Sequence, residues 1–337
     1  MGSATLPSRT RQAAKAMVLV ACGITQIARR SLRGQGCVLT FHGLREDGTD
    51  CGIRDESLHL PTSVFREICQ TLAVRHHVVP LPAMIRALKA GETLPAGTVA
   101  ITFDDGYESN YRLAFPVLRE FGLPATIFLT TGFLDQTDFL WFQRVDRACH
   151  GASHSDLAEK LTHLKTLPDA DMRAEVDRLE SVNPLAGATV EDLPPVMRPM
   201  SWDQAREMQR SGWVDFGSHT HTHPILARCS PEQQRTEIEF SQQRIREELG
   251  IDANLFAYPN GGPSDFTRTT QHLLEQAGIT AAFTMTSGHV EHPANLLELP
   301  RYGSPESHWE AAATASGAFH MAKQWRQGCR RILGGNR

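Results

Sequence analysis

The sequence predicts an α/β protein whose parallel strands form a closed or nearly closed β/α barrel. Two observations carry this expectation. Short apolar runs alternate with amphipathic segments from about residue 37 to 284, and several of those runs are followed by polar, potentially reactive side chains. "CVLTFHG" (37–43) reads as a buried strand ending at His42, and Val64, Phe65, Ile68 and Leu72 recur at helical spacing over 63–76. The alternation continues with strand 77–81, helix 82–91, strand 98–103, helix 111–122 and strand 125–130. Helix 201–212, strand 213–218, helix 231–250, strand 255–258, helix 267–278 and strand 280–284 complete it. The number of repeats favours a barrel over an open doubly wound sheet. Residues 135 to about 198 break the rhythm with charged helical stretches, the proline-rich "EDLPPVMRPMSW" and no convincing strand, so a helical insertion near the site is expected. The predicted organisation is an N-terminal helix over 1–35, a main α/β unit over 36–305 that carries the insertion, and a C-terminal helical tail over 306–337.

Composition narrows the function classes. At 337 residues, 41% hydrophobic and a formal charge of -4, the chain can bury a large core and has no basic footprint for nucleic acid. Cys22, Cys37, Cys51, Cys69, Cys149, Cys229 and Cys329 are scattered and form no C-x-x-C pair, which argues against a disulfide framework and for a reducing compartment. Leu19 to Cys22 looks like a lipoprotein cleavage site, but only Ala16 to Ala21 form the apolar stretch before it. An export signal needs about 7–15 such residues and a membrane span about 20. An amphipathic helix is expected instead, with Arg29, Arg30 and Arg33 able to hold it at an anionic membrane surface. Cytoplasmic or membrane-peripheral placement is expected ahead of secretion.

In a β/α barrel, residues just past the strand ends converge on one face. His42, the adjacent Asp104 and Asp105, "HTHTH" (219–223) and "PNGG" (259–262) all occupy such positions. Two neighbouring carboxylates repel and are costly to bury unless a cation stands beside them. His219 and His223, four apart, share one side of a helical turn and can bind one divalent ion. An extended backbone would instead align His219, His221 and His223, and Pro224 biases His223 away from helical geometry, so both arrangements stay open. Two histidines with one carboxylate make a facial triad with open positions, the pattern of a catalytic metal. The second aspartate is then free to take a proton from the attacking water.

These residues resemble the polysaccharide deacetylases, the nodulation-protein-B homology domain of carbohydrate esterase family 4. "TFDDGY" (102–107) looks like the family's first motif, "HTHTH" its second, and "FAYPNGG" (256–262) the third motif of one bacterial branch; the likeness runs from about residue 37 to 302. The resemblance implies a distorted (β/α) barrel of the polysaccharide deacetylase type. It further implies Asp104 as general base, Asp105, His219 and His223 as ligands of a divalent metal, usually zinc, and His221 as a spacer. The arginine that often opens the third motif is missing, since Asn254 and Leu255 precede Phe256, and no late Leu-x-His supplies a general acid. His42 matches the replacement acid of members with a permuted arrangement, and Arg301 in "ELPRYG" resembles a late arginine of the same branch that orients the base.

The expected activity is metal-dependent hydrolysis of N-acetyl groups from amino sugars of a polysaccharide or saccharide precursor. The Tyr107 backbone N–H would help hold the oxyanion, Tyr258 and Pro259 would shape the groove floor, and Trp141 or Trp202 would stack on a sugar ring. One alternative is a deacylase of a small non-saccharide amide. Another is an inactive saccharide-binding protein, against which the intact Asp104, Asp105, His219 and His223 argue.

Overall fold

The computed structural model describes residues 8–49, 56–136, 139–149, 151–182, 190 and 193–325. Cys51, Cys329 and the end of the predicted tail lie outside them. The strands are β1 (Gln35–Phe41), β2 (Gly43–Arg45), β3 (His59–Pro61), β4 (His77–Val78), β5 (Thr98–Phe103), β6 (Ala125–Leu129), β7 (Val214–Ser218), β8 (Leu255–Ala257), β9 (Ala281–Phe283) and β10 (Val290–Glu291). The helices are α1 (Ser8–Ala21), α2 (Ile24–Ser31), α3 (Thr62–Arg75), α4 (Leu81–Lys89), α5 (Phe115–Phe121), α6 (Thr131–Leu134), α7 (Trp141–Ala148), α8 (His154–Leu164), α9 (Asp169–Ser181), α10 (Trp202–Arg210), α11 (Pro231–Leu249), α12 (Arg268–Gln276) and α13 (His308–Ala315).

Strands β1, β5, β6, β7, β8 and β9 pair in that order, all parallel, with β4 against the start of β5 and β10 antiparallel to the start of β1. Every residue of β5 is buried, as a strand covered on both faces requires. The edges of this curled sheet meet across residues 299–302. Leu299 exchanges backbone bonds with β9 (its N–H to Ala282 O, 2.9 Å; Thr284 N–H to its carbonyl, 2.8 Å), and Tyr302 does so with β1 (its N–H to Val38 O, 2.9 Å; Thr40 N–H to its carbonyl, 2.9 Å). "LPRY" thus acts as a short closing strand, with Arg301 carried between the two contacts.

Several elements differ from expectation for local reasons. Helix 111–122 begins as a π turn over Asn110–Ala114, because Pro116 has no N–H to continue a regular ladder and the Phe115 N–H reaches back to Asn110. The strand expected over 77–81 ends at Val78, since Pro80 leads directly into α4. The N-terminal helix is two helices, broken at Gly23 with φ 71°. They pack against α13 through Ala16, Leu19, Ala28, Ala313 and Ala318. Among the described residues no helix is long and apolar enough to cross a membrane.

Residues 141–181 form α7, α8 and α9 around their own core of Trp141, Val145, Leu157, Leu164, Met172, Val176 and Leu179. Trp141 is therefore a packing residue, and the Trp202 indole N–H donates to Asp135 (2.7 Å). Trp141 does not fulfil the expected role of a sugar platform.

Candidate functional site

The C-terminal ends of β1, β5 and β7 and the closing segment bring the candidate residues together. Asp104 and Asp105 leave β5 in a turn where Asp105 (φ 74°) and Gly106 (φ 88°) are both left-handed. This reversal separates two carboxylates that are adjacent in sequence. The φ of Gly106 is one that side-chain-bearing residues rarely adopt, and a Cβ there would also crowd Leu134 Cδ1 at 2.7 Å.

Asp104 turns to Arg301, which donates from Nη1 to Oδ1 and from Nη2 to Oδ2, both at 2.8 Å. Arg301 is fully buried, and its Nε donates to the Thr284 carbonyl (3.2 Å). Burial alone would raise the Asp104 pKa; the charge and hydrogen bonds of Arg301, with help from His219 and His42, outweigh it and hold the carboxyl at about 2.

Asp105 turns to the histidines. Its Oδ1 lies 3.5 Å from His219 Nε2 and 3.4 Å from His223 Nε2. His219 Nδ1 lies 2.7 Å from the Ala257 carbonyl at the end of β8. A carbonyl only accepts, so Nδ1 carries the proton and Nε2 presents its lone pair to Asp105. Burial lowers both imidazole pKa values, that of His219 to about 4. Burial and then Asp104 push the Asp105 carboxyl well above its ordinary value, opposed by the Tyr107 hydroxyl and Arg301. Neither Asp105 oxygen accepts a hydrogen bond of good geometry. Three potential ligand atoms, one per residue, therefore converge within 4.8 Å of one another. One carboxylate with two imidazoles fits a divalent ion such as zinc, and such an ion would offset the burial that disfavours the charged form of Asp105.

The backbone of "HTHTH" is neither helical nor extended. Thr220 (φ 68°) and His223 (φ 59°) are both left-handed, and this turns His221 away from the other two rings. The His221 Nδ1 meets Thr131 Oγ1 at 2.9 Å and its ring packs on Phe240, so the arrangement with three histidines on one ion is not formed.

His42 follows β1. Its carbonyl accepts from Asn110 Nδ2 (2.6 Å) and its imidazole is half-buried near Asp104 and Arg301. Burial lowers its pKa, with Asp104 opposing. His289 stands apart, its Nδ1 3.0 Å from the Tyr302 hydroxyl. Tyr107 is buried with its hydroxyl toward Asp105. Tyr258 departs from expectation. Its ring stacks on Phe266, and its hydroxyl donates to the Leu297 carbonyl (2.7 Å), which makes it a core residue rather than a groove floor. Pro259, next in the chain, is also buried.

Two contributors escaped the sequence reading. Glu237, on α11, accepts the His221 and Thr222 N–H groups at one oxygen (2.9 and 2.8 Å) and the Thr222 hydroxyl at the other (2.6 Å). Its signal was available: it occupies a core-facing position in register with Gln234, Ile238, Ser241 and Ile245. Phe142, from α7, has its ring 5.5 Å from that of His223, and no motif marks it.

The sequence model described as Polysaccharide deacetylase matches residues 91–282, more than half of the chain. The chain belongs to the polysaccharide deacetylase family. A Bacillus subtilis protein named as a polysaccharide deacetylase, YxkH, is 43% identical over 203 residues, covering 60% of this chain and 50% of that protein. An Escherichia coli poly-beta-1,6-N-acetyl-D-glucosamine N-deacetylase is 33% identical over 88 residues, 26% of this chain and 12% of that protein. This polysaccharide deacetylase family member thus spans half or less of these two relatives. The fold is that of the Streptococcus pyogenes deacetylase PplD in complex with acetate (TM-score 0.60, 20% identity, 83% of this chain and 98% of that one). It is also that of IcaB from Ammonifex degensii (TM-score 0.57, 22% identity, 84% and 97%).

Proposed function

We propose that this polysaccharide deacetylase family member hydrolyses N-acetyl groups from amino sugars of a poly- or oligosaccharide. The reaction uses a divalent metal, zinc by family resemblance, held by Asp105, His219 and His223. The observation that carries this reading is the division of labour between two adjacent aspartates. Asp104 is neutralised by Arg301, whereas among the described residues Asp105 has no cationic side chain against it and faces the two imidazoles. A divalent ion, when bound, polarises the acyl oxygen and acidifies water.

Asp104 accepts the proton of the attacking water, and Arg301 orients both of its oxygens while keeping it ionised. His42 delivers a proton to the departing amine. Burial lowers its pKa and Asp104 opposes this, so the proton it delivers is the one that Asp104 takes from the water and passes to the imidazole. The depth of the centre supports a pendant acyl group as substrate, since Asp105, His219 and His223 are 1%, 2% and 7% exposed. A small acyl group reaches them while the sugar ring stays outside. The name of the E. coli relative supports an N-acetylglucosamine polymer.

The test is acetate release from a panel of N-acetylated oligosaccharides and small acetamides, with the protein as purified, chelated, and reloaded with zinc or other divalent ions. Release from oligosaccharides that is lost on chelation and restored by metal is expected. Undiminished release after complete chelation, or turnover of small acetamides alone, overturns the proposal.

A further inference from the structure

The two histidines are held by different parts of the molecule. The barrel itself anchors His219: its N–H donates to the Leu129 carbonyl at the end of β6 (2.9 Å), and its imidazole donates to the Ala257 carbonyl at the end of β8. His223 has no such anchor. Its Nδ1 lacks a hydrogen-bond partner among the described residues, its N–H donates to the Thr220 hydroxyl (3.0 Å) within the same loop, and its ring rests against Phe142 and His219. The loop is held at Thr220 and His221, whose carbonyls accept from the Thr131 and Gly132 N–H groups (3.3 and 2.7 Å), and at Thr222, immediately before His223. The Thr222 hydroxyl donates to Glu237 of α11 and accepts from Arg173 of α9 (2.5 Å), which uses both its donor and one acceptor position. Arg173 is in turn fixed by Asp169 (Nε to Oδ2, 2.9 Å), whose side chain is buried and also accepts from Gln233 of α11.

We infer that Arg173 and Glu237 are positioning residues that clamp Thr222 and so set the place of His223, making the helical insertion a determinant of metal affinity. The inference rests on the metal-site reading above. The physical reason is that a ligand belongs to a site only if its backbone is held within a fraction of an ångström of the binding geometry. His219 inherits that precision from two barrel strands. His223 follows a loop whose last fixed point is a threonine hydroxyl gripped by two helices, one of them in the insertion. The insertion also supplies Phe142 against the ring, so the same unit that holds the backbone limits the rotation of the side chain.

The test measures zinc affinity of the full chain by competition with a chromophoric chelator, alongside the melting temperature of the metal-free protein. Loss of hydrogen bonds that orient a ligand costs typically about 10- to 100-fold in metal affinity. Thr222→Val, which keeps the shape and removes the hydroxyl, is expected to weaken zinc binding by about that factor, and Arg173→Leu by about 10-fold. Thr222→Ser, which keeps the hydroxyl, should bind within about 3-fold of the parent. The metal-free melting temperatures of Thr222→Val and Thr222→Ser should agree within a few degrees. Unchanged affinity in Thr222→Val, or equal weakening in Thr222→Ser, overturns the clamp while leaving the metal site standing. A parent chain that binds no zinc overturns the metal site itself, and the clamp with it.

Discussion

Replacing Arg301 by methionine removes the cation from a buried carboxylate while keeping an apolar chain in its place. Arg301 is 0% and Asp104 2% exposed, and their two 2.8 Å bonds form in a site that water cannot enter to compensate. The lowering of Asp104 from 3.8 to about 2 corresponds to roughly 2 kcal/mol of stabilisation of its charged form. Stranding one member of a buried pair costs more, about 3–5 kcal/mol, because the remaining charge is desolvated without a partner. Burial, the largest influence on Asp104, then prevails and its pKa rises above 3.8. The sign with pH follows. The parent's depressed pKa gives a contribution present above 3.8 and lost only as pH falls through about 2. The variant's raised pKa makes it gain stability as pH falls through that raised value, so the gap between the proteins narrows on acidification. Urea unfolding of the chelated proteins at about pH 7.5 and about pH 4.5 reads this directly, with a gap of about 3–5 kcal/mol expected at the higher pH and a smaller one at the lower. Adding Asp104→Asn to Arg301→Met should recover part of the loss, since no buried charge then remains. A gap that does not change with pH, or one below about 1 kcal/mol at the higher pH as for an exposed pair, would refute the reasoning.

His219→Ala or His223→Ala should abolish zinc retention by elemental analysis, while His221→Ala, whose ring meets Thr131 and Phe240, should keep it; equal loss in all three would restore the three-histidine arrangement. Asp104→Asn should retain metal and lose nearly all turnover, because an amide cannot accept the proton, at some cost in stability from the half-paired Arg301. Asp105→Asn should lose metal instead, and exchanged phenotypes would reverse the assignment of base and ligand. His42→Ala should reduce turnover by about 10²- to 10⁴-fold with metal content and folding intact; an unchanged rate removes it from the mechanism.

The order of strands and helices was legible because burial imposes its period directly on the residues: the apolar run 98–103 and the helical spacing of Phe65, Ile68 and Leu72 appear as β5 and α3. Strand ends were legible for the same reason, and with them Asp104, Asp105, His219 and His223, since a reactive group after an apolar run falls at a barrel mouth whatever the details of packing. Sequence alone determined which residue types would be available there. Local pattern could not determine how they divide into pairs; the family resemblance supplied that division as an expectation. That Asp104 faces Arg301 and Asp105 faces the histidines depends on two left-handed residues after β5, and backbone handedness at a non-glycine position leaves no periodic trace. That Arg301 reaches the centre depends on residues 299–302 bridging β9 and β1, a closure between segments far apart in the chain. The same holds for Glu237 and Arg173, whose contact with Thr222 is made across three separate elements. Local sequence pattern reports burial and turn chemistry; which charges meet is decided by the tertiary structure and had been expected only through resemblance to a family, because long-range contacts have no period to read.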